Sequence, residues 1–156
     1  MADEWLGFQD LKCWQLARRL MIESHKVAAQ LPTIERYDLA SQVRRSSKSV
    51  MANIAEGYGR YHYLDKLRFF YMARGSLDET INHIITCLDL RYIPEARFRE
   101  LHDLAQEDHR ALNGYIGYIR KQQQGIDEFG KSILREPYEV DSVVGEGQVE
   151  EQMKKG

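Results

Sequence analysis

Apolar residues recur at steps of three and four along most of the first 123 positions, the spacing that lines them up on one face of an α-helix. Leu11, Trp14, Ala17, Met21, Ser24 and Ala28 mark a first helix over about 10–30. Asp10 is placed to cap its start, and Leu31-Pro32 ends it because the residue before a proline resists the α region. Leu39, Val43, Ser47, Val50, Ile54 and Tyr58 mark a second helix over about 34–58, closed by Gly57 and Gly59. Phe70, Leu77, Ile81, Ile84 and Leu88 mark a third over 62–91. Pro94 is suited to open a fourth, which runs to 123 with Leu101, Ala105, Asp108, Leu112, Tyr115 and Ile119 on its stripe. Linkers of a few residues force successive helices to run in opposite directions. The pattern therefore predicts an all-α fold, an antiparallel up-down-up-down four-helix bundle. No strand-like run and no internal repeat competes with it.

Composition narrows the picture. With 43% hydrophobic residues and a net charge of −2 over 156 residues, the chain has enough apolar surface to fold as one domain. It holds no run of about 18 uncharged apolar residues, so no membrane-spanning helix is expected. Residues 1–5, Met-Ala-Asp-Glu-Trp, lack the basic-then-apolar pattern of a secretion signal. Cys13 and Cys87 fit neither a metal spacing nor a disulfide framework and read as reduced packing residues of a cytoplasmic protein. The charge is uneven. The window 36–74 holds eight basic against three acidic residues, whereas the stretch from Gly125 holds eight acidic against four basic. This divides the chain into a bundle domain, 1–124, and an acidic, largely irregular tail, 125–156, with a short helical turn near 126–134.

Catalytic constellations do not emerge. A di-iron bundle needs Glu-x-x-His, which sets both ligands on one inward face, and the chain has no such motif. Glu79 and His83 read as a surface pair, and His102 and His109 as part of a solvated face. Ser46, Ser47 and Ser49 lie within a helix rather than at a strained elbow, and Gly57-Tyr58-Gly59 is too short to cradle a phosphate. No metal, cofactor, small-molecule substrate or enzymatic activity is therefore expected.

Three other features stand out. Gln42, Arg45, Ser49, Asn53, Glu56 and Arg60 fall on one narrow polar stripe of the second helix, either a solvated face or a hydrogen-bonded seam against a helix or subunit. Asp108 interrupts the apolar row of the fourth helix, where burial predicts an ion-pair partner, with Arg45 and Arg74 the candidates. The stretch 58–71 interleaves Tyr58, Tyr61, Tyr63, Phe69, Phe70 and Tyr71 with Arg60, Lys66 and Arg68, a mixture suited to base stacking and phosphate contact or to sealing a corner of the core.

Several blocks together resemble a known family. Phe8-x-Asp10-Leu11-x-x-Trp14-x-x-Ala17 is followed by Pro32-x-x-Glu35-Arg36-Tyr37-x-Leu39-x-x-Gln42-x-Arg44-Arg45. Then come Ser49-x-x-x-Asn53-Ile54-Ala55-Glu56-Gly57-x-Gly59-Arg60 and Ala73-x-Gly75-Ser76-Leu77-x-Glu79. These are similar to the bacterial four-helix-bundle proteins of the ribosomal-RNA intervening-sequence type, from Phe8 to about Ile119. The resemblance implies a bundle that assembles into a ring-shaped homopentamer, and no established biochemical activity. Met51 stands where that family usually has proline, His62 where it has a small hydroxyl residue and Lys66 where it has phenylalanine. A straighter second helix and a weaker cap on the third are expected from these departures.

The functional expectation is a non-enzymatic oligomeric scaffold that binds RNA, DNA or a nucleoprotein partner. Arg44, Lys48, Arg60, Lys66 and Arg68 would meet phosphates, Tyr61 and Tyr63 would offer stacking platforms, and the acidic tail would oppose binding. The alternative is a structural protein–protein module with no nucleic-acid contact. One contiguous exposed basic face would favour the first, and engagement of those residues in protein contacts the second.

Overall fold

The computed structural model describes residues 7–129, and among them every regular element is helical. The four long helices are α1 (Lys12–Gln30), α2 (Leu39–Tyr58), α3 (Tyr63–Asp89) and α4 (Glu95–Gln122). At 1.5 Å per residue they span about 28–42 Å. A single turn, α5 (Ile126–Phe129), follows. The rest of the predicted tail, including the expected helical turn beyond 129, lies outside the described residues.

Helix ends depart from the sequence expectation for local reasons. Asp10 does not cap α1. It closes a 3-10 turn, Phe8–Asp10, with its carboxylate accepting from the Gly7 amide at 3.2 Å, and Leu11 takes the N-cap position. α1 stops at Leu31, whose extended ψ of 151 is what the following Pro32 demands. α2 starts five residues later than the apolar pattern suggested. Thr33–Glu35 forms a separate 3-10 turn, and Asp38 at φ −116, ψ −106 breaks any continuous helix. Glu35 organises this linker: its carboxylate accepts from the Leu39 amide at 3.3 Å and from the Tyr92 hydroxyl at 2.9 Å, tying the α1–α2 and α3–α4 linkers together at one end of the bundle.

His62 proves a working cap, its Nδ1 accepting from the Leu64 amide at 3.2 Å. α3 closes through Arg91 at φ 61, a left-handed position more often filled by glycine. Pro94 stands just outside α4 as its N-cap rather than within it. At the far end Gln123 (φ 45) and Gly125 (φ 85) turn the chain back, so that the Gln124 carbonyl accepts from the Tyr63 amide at 3.0 Å.

Contacts between helices follow a descending order, one residue number rising as the other falls. Lys12 meets Glu107 (3.8 Å) and Glu23 meets Arg97 (2.5 Å) between α1 and α4. Ser46 meets Thr80 (3.0 Å) and Ser49 meets Ser76 (2.9 Å) between α2 and α3. Arg74 meets Asn113 and Asp78 meets His109, each at 3.3 Å, between α3 and α4.

The predicted stripes of α2, α3 and α4 supply much of the core: Val43, Val50, Ile54, Phe70, Leu77, Leu101 and Leu112 are all essentially inaccessible. Each such side chain contributes about 1.5–3 kcal/mol by leaving water. On α1 the predicted Ala17, Ser24 and Ala28 are buried, but the buried face is broader than the predicted stripe. Cys13, Leu16, Leu20 and Val27 are buried, whereas Leu11, Trp14 and Met21 are only half-buried, because α1 packs against both α2 and α4. Both cysteines are free and buried. Burial pushes the Cys13 thiol up to about 12 and the Cys87 thiol up to about 11, so they pack as small apolar groups.

Candidate functional site

The polar stripe of α2 divides when the helix is set in place. Its middle turns toward α3, where the Ser49 hydroxyl meets that of Ser76 at 2.9 Å and the Asn53 amide donates to the Ser49 hydroxyl at 3.1 Å. Its ends face outward and are satisfied within the same stretch of chain: Gln42 donates to Asp38 at 3.1 Å and Arg60 pairs with Glu56 at 2.5 Å. Arg45 is exposed. One buried partnership escaped the sequence reading. Thr80 donates to Ser46 at 3.0 Å across the same seam, with Thr80 and Ser46 both nearly inaccessible. The signal was present as hydroxyls at 46 and 49 facing hydroxyls at 76 and 80, two rungs about one helical turn apart on each helix and running in opposite directions. Below the seam α2 and α3 approach so closely that a Cβ on Gly57 would lie 2.8 Å from the Phe70 ring.

The basic and aromatic candidates cluster around the α2–α3 corner, and most of them are engaged there. Lys66 is half-buried, donates to the Tyr58 carbonyl at 2.9 Å and lies over the Tyr58 ring; burial lowers its pKa. Arg60 lies over the Phe69 ring at 4.8 Å while holding Glu56. Tyr63 is buried, which removes it as a stacking platform: its ring faces the core because it opens α3 on the inward side. Tyr61 stays exposed, but its hydroxyl donates to Glu128 of α5 at 2.9 Å, a bond that raises its pKa. Arg44 is half-buried, and Lys48 and Arg68 are exposed. The first residues of the acidic tail thus cover part of the corner, with Ile126 packed against the core.

Asp108 is buried as its place in the apolar row predicts, with no exposed surface, yet the predicted ion pair is absent. Neither carboxylate oxygen has a hydrogen-bond partner. Arg74 lies instead over the Tyr71 ring and donates to Asn113, and Arg45 points to solvent. Desolvation, with a smaller contribution from Glu107, pushes the Asp108 carboxyl up to about 8, so it is largely protonated at neutral pH.

Two histidine readings are also corrected. His83 is buried rather than on the surface, with Glu79 at 3.3 Å from its Nε2. His109 is half-buried between α3 and α4, meeting Asp78 at 3.3 Å and Asn113 at 3.0 Å, and His102 stacks on Phe98. His109 thus lies at a polar margin of the α3–α4 contact, whereas the contacts of His102 are with its own helix. Among the described residues, no group of three or more His, Cys, Asp or Glu side chains could hold a metal ion. No helix among them is long and apolar enough to cross a membrane.

The model of the 23S rRNA-intervening sequence proteins matches residues 9–114, which takes in α1, α2, α3 and most of α4. The chain belongs to this family. A solved structure from Bacteroides thetaiotaomicron VPI-5482, described as a protein of unknown function from the S23 ribosomal protein family, is similar in fold. It is 17% identical with a TM-score of 0.63, and the alignment covers 67% of this chain and 95% of that one. At that identity the likeness concerns the fold alone. No curated protein matches the chain. Of the sites described above, the α2–α3 seam and Asp108 fall inside the span that matches the intervening-sequence family, and α5 falls outside it.

Proposed function

We propose that this intervening-sequence family protein is a non-enzymatic scaffold, an antiparallel four-helix bundle that associates with copies of itself into a cyclic oligomer and works through protein contacts. The descending order of the contacts between successive helices supports the antiparallel arrangement. The observation that carries the functional reading is how the surface is used. Most of the basic and aromatic candidates are taken up by contacts within the chain, whereas Ile34 and Tyr37 stand 83% and 85% exposed. Two large side chains so fully exposed within four residues, on a turn whose Glu35 is bonded at both oxygens, support a contact surface there. Light scattering at tens of micromolar protein is expected to give a mass several times that of the 18.3 kDa chain. A mass of one chain overturns the reading.

One observation favours a second reading, binding of RNA or DNA. Arg45, Lys48 and Arg68 are exposed on the two helices that share the hydroxyl seam, and a ring would multiply them. Fluorescence anisotropy of single-stranded RNA at low salt tests it. Affinity that falls steeply with salt and is lost in Lys48→Glu and Arg68→Glu supports it, and no binding at tens of micromolar removes it.

A further inference from the structure

The bundle has an apolar projection and an apolar recess that do not meet within one chain. The projection is the α1–α2 linker. Ile34 and Tyr37 reach into solvent from a turn that cannot relax, because Glu35 between them is bonded both to the Leu39 amide and to the Tyr92 hydroxyl of the opposite linker. Arg36 lies over the Tyr37 ring at 5.3 Å, and Arg91 is exposed on the linker that Glu35 ties in, so two exposed arginines accompany the apolar pair, with Asp38 exposed beside them. The recess lies between α1 and α4, with a volume of about 450 Å³. Ile22, Leu101 and Leu104 give it an apolar floor, Ile22 remaining 41% exposed; Arg19 also lines it, and Glu23 and Glu100 bracket Arg97 at its edge. Beside it Glu100, Asp103 and Glu107 form an exposed acidic ridge along α4, in which Glu100 holds Arg97 and Glu107 lies 3.8 Å from Lys12.

We propose that the Ile34–Tyr37 projection of one copy seats in the α1–α4 recess of a second copy, with Arg36 and Arg91 facing the acidic ridge. This rests on the self-associating scaffold reading and names the two surfaces it uses. The occupant is a second copy because the projection matches the recess in both properties: two apolar side chains for an apolar recess with room for them, and two arginines for a row of carboxylates. The two patches differ, so the contact is heterologous. Each copy offers one projection and one recess, and successive copies continue into a ring or a filament. A contact built on two side chains is small, and closure of a ring lets many such contacts act together.

The test uses full-length protein and two variants altered only at solvent-facing positions. Tyr37→Asp combined with Ile34→Asp disables the projection, and Ile22→Asp with Glu100→Arg disables the recess; circular dichroism and thermal melting check that each folds as the parent does. By light scattering each variant alone is expected to fall to the mass of one chain, while an equimolar mixture gives dimers, since one projection and one recess remain intact between them. Wild-type protein that is itself a single chain overturns this proposal together with the scaffold reading. Wild-type protein that assembles while the projection variant assembles equally overturns the proposal alone. Variants that are both single chains but give no dimer on mixing at tens of micromolar also overturn it, because the intact projection then does not recognise the intact recess.

Discussion

Where α2 meets α3, Ser46 and Thr80 are paired across the seam, and one turn on Ser49 meets Ser76 while accepting from the Asn53 amide. On the α1 and α4 side, Asp108 has both oxygens unbonded, and buried Ser24 on α1 keeps a hydroxyl with no hydrogen-bond partner. Both regions bury polar groups in rows that are otherwise apolar. The difference lies in what faces them. Small hydroxyls serve as donor and acceptor at once, so two helices bearing them at matching steps satisfy one another. A carboxylate needs a donor, and Cys13, whose own thiol is pushed up partly by Asp108, is a poor one. The first seam gains hydrogen bonds and close approach, and the second carries an uncompensated cost that depends on pH.

The largest expected effect is at Asp108. Its folded-state pKa of about 8 lies above the ordinary aspartate value of 3.8. From about pH 4 upward the unfolded chain releases a proton that the folded chain keeps. Stability from this group is thus fully present below about pH 4 and is lost as pH rises through about 8. Asp108→Asn should remove that slope and raise stability at pH 7 by about 3–4 kcal/mol. An ion pair would have predicted the opposite sign. Thermal melts of both proteins from pH 5 to 8.5 check this, and parallel curves would show that the carboxyl has a partner after all.

Gly57→Ala comes next. Alanine is the better helix former, yet its Cβ would press on the fully buried Phe70 ring, so a loss of about 1–3 kcal/mol is expected. Gly75→Ala is the control on α3: nothing lies within 4 Å of the added atom, and a gain of up to about 1 kcal/mol is expected from helix propensity. Urea titrations that ranked the two alike would show that α2 and α3 are not pressed together.

The smallest effect concerns the rung itself. Thr80→Val keeps the volume and removes the donor to Ser46, for a cost of about 1 kcal/mol. A double-mutant cycle with Ser46→Ala should show coupling of at least about 0.5 kcal/mol. Additive losses would mean that each hydroxyl is satisfied by its own helix, where Ser46 and Thr80 also have the Val43 and Ser76 carbonyls within reach.

Four helices, their approximate ends and most core positions could be read from the chain alone, because a period near 3.6 and the turn chemistry around Pro32, Gly59 and Pro94 are properties of neighbouring residues. The burial of Asp108 was legible for the same reason, whereas the α2 polar stripe was open on sequence between a solvated face and a seam. The partners were not. Which side chain faces Asp108, whether Tyr63 turns inward, and how Glu35 locks two linkers depend on how helices far apart in sequence rotate and approach. The nucleic-acid candidates show this most clearly: Arg60, Lys66 and Tyr61 share a basic, aromatic stretch on paper, but Glu56, the Tyr58 carbonyl and Glu128 already occupy them. Periodicity is local and survives in one dimension. Partnership requires two surfaces to meet, and only the folded bundle decides which ones do.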